Sequence, residues 1–269
     1  MTHTLDVVAF EAARRARSVL LLSIVLSLLV FVTVGLFPTL ETASEALETF
    51  LAELPEETRR VVLGDVDTIS TIEGYLVSRF YQFAWLLLLG VYYAYAGASL
   101  VASEVENGSV EFLLVLPLSR SRIVVGKFLG LVPGVLAVNV LVMVAVTVAV
   151  AGAGETVDAV DLALVHAASL PYLLACAGVG LLASVRFDET RRAQTLAIGA
   201  IFAMFIFDNL VRDTDLEWVG SVSLSRYYDP GALLVDGVVE AGDLAALVAA
   251  TLGCVVVAAE LFERRDVTG

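Results

Sequence analysis

Glu104–Lys127, EVENGSVEFLLVLPLSRSRIVVGK, is a polar, basic-tipped excursion between two long apolar runs. Glu106, Asn107, Gly108 and Ser109 form a turn able to start a helix. Ser109 can accept from free backbone donors there, and Glu111 adds favourable charge to the first turn. Val110, Leu113, Leu114 and Leu116 give that helix an apolar side, and Pro117 stops it. Ser119, Arg120, Ser121 and Arg122 then lead to Gly126-Lys127 at the start of the next apolar run. Two readings fit these residues. A short amphipathic helix held outside a membrane is a lever that a partner can push, moving two spans together. The same residues also suit an inert interfacial loop.

The flanking runs make this a membrane protein. Of 269 residues, 59% are hydrophobic and mean hydropathy is +0.88, against roughly 45–50% apolar in an average soluble domain. The excess falls in six runs nearly free of charge, and about 20 apolar residues cross a bilayer. They predict spans at about 18–37, 80–103, 124–152, 162–185, 193–211 and 242–262. Six helices and their loops use up the chain, so 1–269 reads as one membrane domain. The first run follows Arg14, Arg15 and Arg17, as in a signal peptide, but it is longer than an h-region of roughly 7–15 residues. An uncleaved first span is expected.

Lys and Arg mark the cytoplasmic side. The side shared by both termini carries Arg14, Arg15, Arg17, Arg120, Arg122, Lys127, Arg186, Arg191, Arg192, Arg264 and Arg265; the other carries Arg59, Arg60, Arg79, Arg212 and Arg226. Eleven against five places both termini in the cytoplasm. The net charge of −14, with nine acids between Glu41 and Glu73 and Lys127 as the only lysine, argues against nucleic acid. It fits the acidic proteome of a salt-loving organism, or cation attraction at the outer mouth. Cys176 and Cys254 lie in apolar runs and read as small buried hydrophobes.

Several features have both a functional and a bland reading. Asp6–Arg17 sets Val7, Val8, Phe10 and Ala13 near one face and arginines near another, as an interfacial helix or a basic flank. Leu47, Leu51 and Leu54 suggest a separate external helix ending near Pro55. Pro133-Gly134 predicts a hinge or a tolerated kink. His166 reads as structural and Asp208 as solvated near the outer surface. Leu224–Gly237, with Tyr227 and Tyr228, is too short to cross and suits a re-entrant or interfacial hairpin with its tyrosines at headgroup level.

Catalytic patterns are missing. Gly126-Lys127 is followed by Phe128, and position 121 is Ser, so no P-loop is formed. The two histidines, His3 and His166, have no HExxH spacing. Glu56-Glu57 resembles the EExxxR start of membrane-embedded prenyl-protein proteases, but position 61 is Val. No metal-ligand cluster or Ser/His/Asp set is apparent.

Glu104-x-x-x-Gly108-Ser109-x-x-x-Leu113-Leu114-x-x-Pro117-x-Ser119-Arg120, then Gly126-Lys127, resembles the motif of ABC transporter permeases of the type-2 exporter class. Ser109 stands where Thr is commoner. The six spans and long last external loop match the same class, and the resemblance covers nearly the whole chain. It implies an all-α membrane protein with six transmembrane helices, a cytoplasmic coupling helix and an external re-entrant hairpin. It implies a plasma-membrane permease paired with a second copy or homologue and driven by a cytosolic ATP-binding cassette subunit, which holds the ATP and Mg. This chain itself would hold no cofactor and no catalytic site. Glu104, Gly108, Ser109, Glu111, Leu113, Leu114, Pro117, Ser119, Arg120 and Arg122 would form the ATPase-coupling interface. The LSRYYDPG run is similar to that of subfamilies found beside copper-enzyme maturation or sodium and drug efflux systems. The alternative from another class is a non-transporting membrane scaffold or sensor subunit.

Overall fold

The computed structural model describes residues 2–52, 71–108, 119–211 and 214–264. These are helical, with no strand among the described residues. Six helices are long and apolar enough to cross a membrane: Val7–Thr39, Ile72–Ala98, Arg120–Gly152, Ala159–Arg186, Thr190–Val211 and Ala241–Arg264. Alternating crossings bring the first and last described residues, Thr2 and Arg264, to one end of the bundle, the basal end; the other is the distal end.

Helix α1 (Thr2–Ala52) runs unbroken through Pro38. Its 51 residues reach about 75 Å at 1.5 Å each, more than twice the roughly 30 Å apolar core of a bilayer. The expected separate external helix is therefore corrected: Leu47 and Leu51 belong to the same helix as the first span, while Leu54 and Pro55 lie outside the described residues. Pro38 removes one backbone donor without ending the helix, and beside it Thr39 Oγ1 donates to the Leu36 carbonyl at 2.6 Å. In the first turns Phe10 is 67% exposed, on a surface that lipid can cover, and the buried residue there is Glu11.

Helix α2 (Ile72–Ala98) starts where the Thr71 side chain accepts from the Gly74 amide, eight residues before the expected Phe80. Val77–Leu89 is wound as a wide π-helix. Its lower half, AYAGA, presses on α6 (Ala159–Arg186) through small residues. A Cβ on Gly97 would overlap the Ala177 carbonyl oxygen, and one on Gly180 would overlap that of Ala94. The chain breaks at Ser99–Val101 and restarts as α3 (Ala102–Glu106). The break is satisfied from α6: Ser184 Oγ accepts from the Val101 and Ala102 amides at 2.8 and 2.9 Å.

The third crossing is two helices, α4 (Arg120–Leu129) and α5 (Val132–Gly152), joined at Gly130-Leu131. The interruption thus precedes Pro133, which sits in the first turn of α5, where its missing N–H costs nothing. Asp158 caps α6 by accepting from the Val160 and Asp161 amides. Helix α6 is central, packed against α2, α5, α7 (Thr190–Val211) and α9 (Ala241–Arg264). Helix α1 lies outside, on α4 and α5. Its outer face leaves Leu21, Val25 and Leu28 more than 60% exposed, which suits lipid.

Between α7 and α9 the distal loop folds as two 3-10 turns, Glu217–Val222 and Leu224–Tyr227, and the short helix α8 (Pro230–Leu234). It buries Leu224, Tyr228, Leu233 and Leu234. Tyr228 stacks on Tyr172 of α6, ring centroids 5.3 Å apart, and donates to the Val165 carbonyl at 3.1 Å. Tyr228 is therefore wedged into the bundle rather than exposed on its outer surface. Burying a large ring gains more than leaving it at the interface, and its hydroxyl finds a carbonyl there.

Candidate functional site: the basal ion network

Three carboxylates organise the basal end. Glu104 sits in the five-residue helix α3. That helix ends at Asn107 and Gly108; Gly108 has φ of +68°, the left-handed conformation that glycine adopts without penalty, and donates to the Val105 carbonyl. Ser119 caps α4 as an exposed residue, its Oγ 3.2 Å from Ser121 Oγ. Arg120 is half-buried and Arg122 exposed in the first turn of α4. Ser109, Val110, Glu111, Leu113, Leu114, Leu116 and Pro117 lie outside the described residues.

The two flanks of that segment are tied together. Lys127, two turns into α4, is buried, and its Nζ donates to Glu104 Oε1 at 3.0 Å. The same ammonium donates to Glu11 Oε1 of α1 at 2.6 Å. Arg14 reaches Glu104 at 3.4 Å, and Arg15 lies 3.6 Å from Glu11. One lysine thus links α1, α3 and α4. Lys127 was expected at the membrane surface; it is 3% exposed, because two carboxylates replace the water it gives up. Such a group is costly to bury and costlier to break: removing one partner typically destabilises by about 3–5 kcal/mol. The half-exposed Arg14 contact adds little.

Glu106 makes a further tie. Its carboxylate accepts from the Thr190 amide at 3.1 Å and so caps the first turn of α7. The Thr190 side chain and amide together hold the Glu106 carboxyl below the usual carboxylate range. The base of the 109–118 segment is therefore fastened to α1, α4 and α7.

The expected site residues divide accordingly. Glu104 turns inward as an ion-pair partner, Gly108 ends a helix, and Ser119, Arg120 and Arg122 line the start of α4. Glu11, Glu106 and the buried state of Lys127 were missed. A lone acid within VVAFEAA and a lone lysine in the whole chain were the available signals.

Two further polar clusters lie deeper. His166 is not isolated: it is 3.0 Å from the Tyr81 hydroxyl and 3.3 Å from Asn139 Oδ1, which also accepts from Ser169 Oγ at 2.8 Å. Trp85 meets the imidazole edge-on. Tyr81, Asn139, His166 and Ser169 thus join α2, α5 and α6 through hydrogen bonds, as buried polar groups require. Asp208, expected to be solvated, is 1% exposed and faces Arg226 of the distal loop at 3.7 Å. Arg226 also holds the Glu217 carboxylate and its carbonyl.

The chain matches the model of one family, described as ABC-2 family transporter protein, over residues 9–267. No curated protein matches it. The match spans the six membrane helices and both flanks of the basal segment. The chain belongs to the ABC-2 transporter family, whose members are generally the permease, the membrane component of an ABC transporter rather than its catalytic part.

Proposed function

We propose that this permease drives export by coupling to a separate cytosolic ATP-binding cassette subunit through residues 104–122. The observation that carries this reading is the Glu11–Lys127–Glu104 network. It fastens both flanks of the segment to α1, so a push there would move membrane helices rather than deform a loop. The basal end is cytoplasmic in this reading, supported by eleven basic residues against five. The ATPase holds ATP and Mg; this chain holds neither. A second permease copy or homologue completes the pathway in the plasma membrane. Ser109, Glu111, Leu113, Leu114 and Pro117 form the contact surface, with Arg120 and Arg122 at its edge.

Affinity capture from native membranes in mild detergent tests this. An ATP-binding cassette subunit should co-purify and should be lost with Arg120→Glu. Capture without any such subunit across several detergents contradicts the reading and favours a scaffold or sensor.

A further inference from the structure

Helices α1 and α2 meet at the distal end, where Phe37 and Tyr75 have ring centroids 5.5 Å apart. Toward the basal end they part, leaving a wedge spanned by an Arg15 Nη2 to Ser99 Oγ contact at 3.5 Å. Arg15, Val19, Tyr92, Tyr93, Gly130 and Gly134 line it. The glycines let α1 approach closely along the floor: a Cβ on Gly134 would come within 2.9 Å of Val19 Cγ2, and one on Gly130 would overlap Glu11 Cβ.

Two polar groups in this wedge are unsatisfied. Tyr93 is 2% exposed, and its hydroxyl has no hydrogen-bond partner among the described residues. Arg15 Nε is buried without a hydrogen bond; it faces Glu11 Oε2 at 3.6 Å, an ion pair too long for one, and that oxygen also has no hydrogen-bond partner among the described residues. Buried donors left unpaired are rare and call for an unseen acceptor. The inner wedge has room for about one water-sized group, which is the size of a single phosphate oxygen.

Position and charge narrow the occupant. Arg15 lies at the point where α1 changes from charged residues to the apolar run beginning at Ser18, so the mouth of the wedge is at headgroup depth. Arg15 is the cation that lines the wedge, and the Glu11 beside it is shared with Lys127. Basic pockets between membrane helices attract anionic headgroups, and an Arg–phosphate hydrogen bond is charge-assisted.

We propose that the basal wedge between α1 and α2 binds the anionic headgroup of a membrane lipid, with the Arg15 guanidinium and the Tyr93 hydroxyl donating to one phosphate oxygen. One phosphate oxygen enters the wedge, the rest of the headgroup lies at its mouth, and the shared oxygen ties α1 to α2.

The full-length protein would be placed in nanodiscs of phosphatidylcholine, with and without phosphatidylglycerol, and examined by native mass spectrometry and thermal unfolding. Phosphatidylglycerol is retained in preference to phosphatidylcholine and raises the unfolding temperature. Arg15→Gln lowers that retention about tenfold and Tyr93→Phe about threefold, while the exposed Arg17→Gln leaves it unchanged. Arg15 also contacts Ser99 and Glu11, so a misfolded Arg15→Gln shifts the decision to Tyr93→Phe, which removes a hydroxyl with no protein partner. Retention unaltered by Tyr93→Phe overturns the proposal. A gain produced by inorganic phosphate in phosphatidylcholine discs also overturns it, assigning the wedge to a soluble anion. No preference between the two lipids overturns it in favour of water.

Discussion

The basal and distal ends each hold a buried carboxylate facing a cation, but the two are built differently. At the basal end the cation is a buried lysine with two carboxylates at 2.6 and 3.0 Å, joining three helices. At the distal end Arg226 keeps a side chain 29% exposed, lies 3.7 Å from Asp208 and shares itself with Glu217. The first pair is dry and tight, and losing one member strands a charge in low dielectric. The second has water at one side, which screens it and offers the arginine another partner. The difference puts the tighter ionic clamp at the end where a push would arrive, while the distal loop is held chiefly by buried Tyr228, Leu233 and Leu234.

The largest effect expected from breaking this comparison is at Lys127. Lys127→Met strands Glu11 and Glu104 and should cost about 3–5 kcal/mol, read by denaturant or thermal unfolding in detergent. Adding Glu11→Gln and Glu104→Gln should recover most of that loss, because no carboxylate is then buried without its ammonium, and Arg14 and Arg15, which lose their acids, keep side chains 53% and 22% exposed. Next comes Ser184→Ala. It leaves two buried amides at the α2–α3 break unpaired and should cost about 2 kcal/mol. Loss of amide-exchange protection should concentrate at Val101 and Ala102.

Arg226→Ala sharpens the contrast from the other end. With water at the arginine but Asp208 buried, the expected loss lies between the roughly 0.2–1 kcal/mol of an exposed pair and the roughly 3–5 kcal/mol of a buried one, below that at Lys127. Added salt should narrow the gap between wild type and Arg226→Ala more than that between wild type and Lys127→Met. The smallest effect concerns Glu106. Its folded-state pKa is lowered, so its stabilising contribution is present above the unfolded-state pKa and is lost as pH falls through the folded value. Wild type and Glu106→Gln should differ in unfolding temperature at neutral pH and converge at pH below the usual carboxylate range.

The membrane helices were legible because each crossing needs a long run without charge, and the chain supplies six. Helix starts and stops were less so. Pro38 reads as a boundary, yet α1 continues through it. The break at Ser99–Val101 carries no Pro, and its amides are satisfied by a serine 83 residues away, a pairing no local pattern announces. The site was half legible. The motif drew attention to Glu104 and Lys127, but their contact depends on α3 turning back beside α4, which only packing decides. Asp208 was misread for the same reason: its partner Arg226 returns from a loop whose course was unknown.

The central claim is that the basal network aims the 104–122 segment at an ATPase. The most direct measurement is capture of the ATP-binding subunit by the triple variant Glu11→Gln/Glu104→Gln/Lys127→Met, compared with wild type at matched unfolding temperature. The account predicts a folded permease that retains the subunit about tenfold less well, a loss of about 1.4 kcal/mol in binding. A folded triple variant that retains the subunit fully would contradict it.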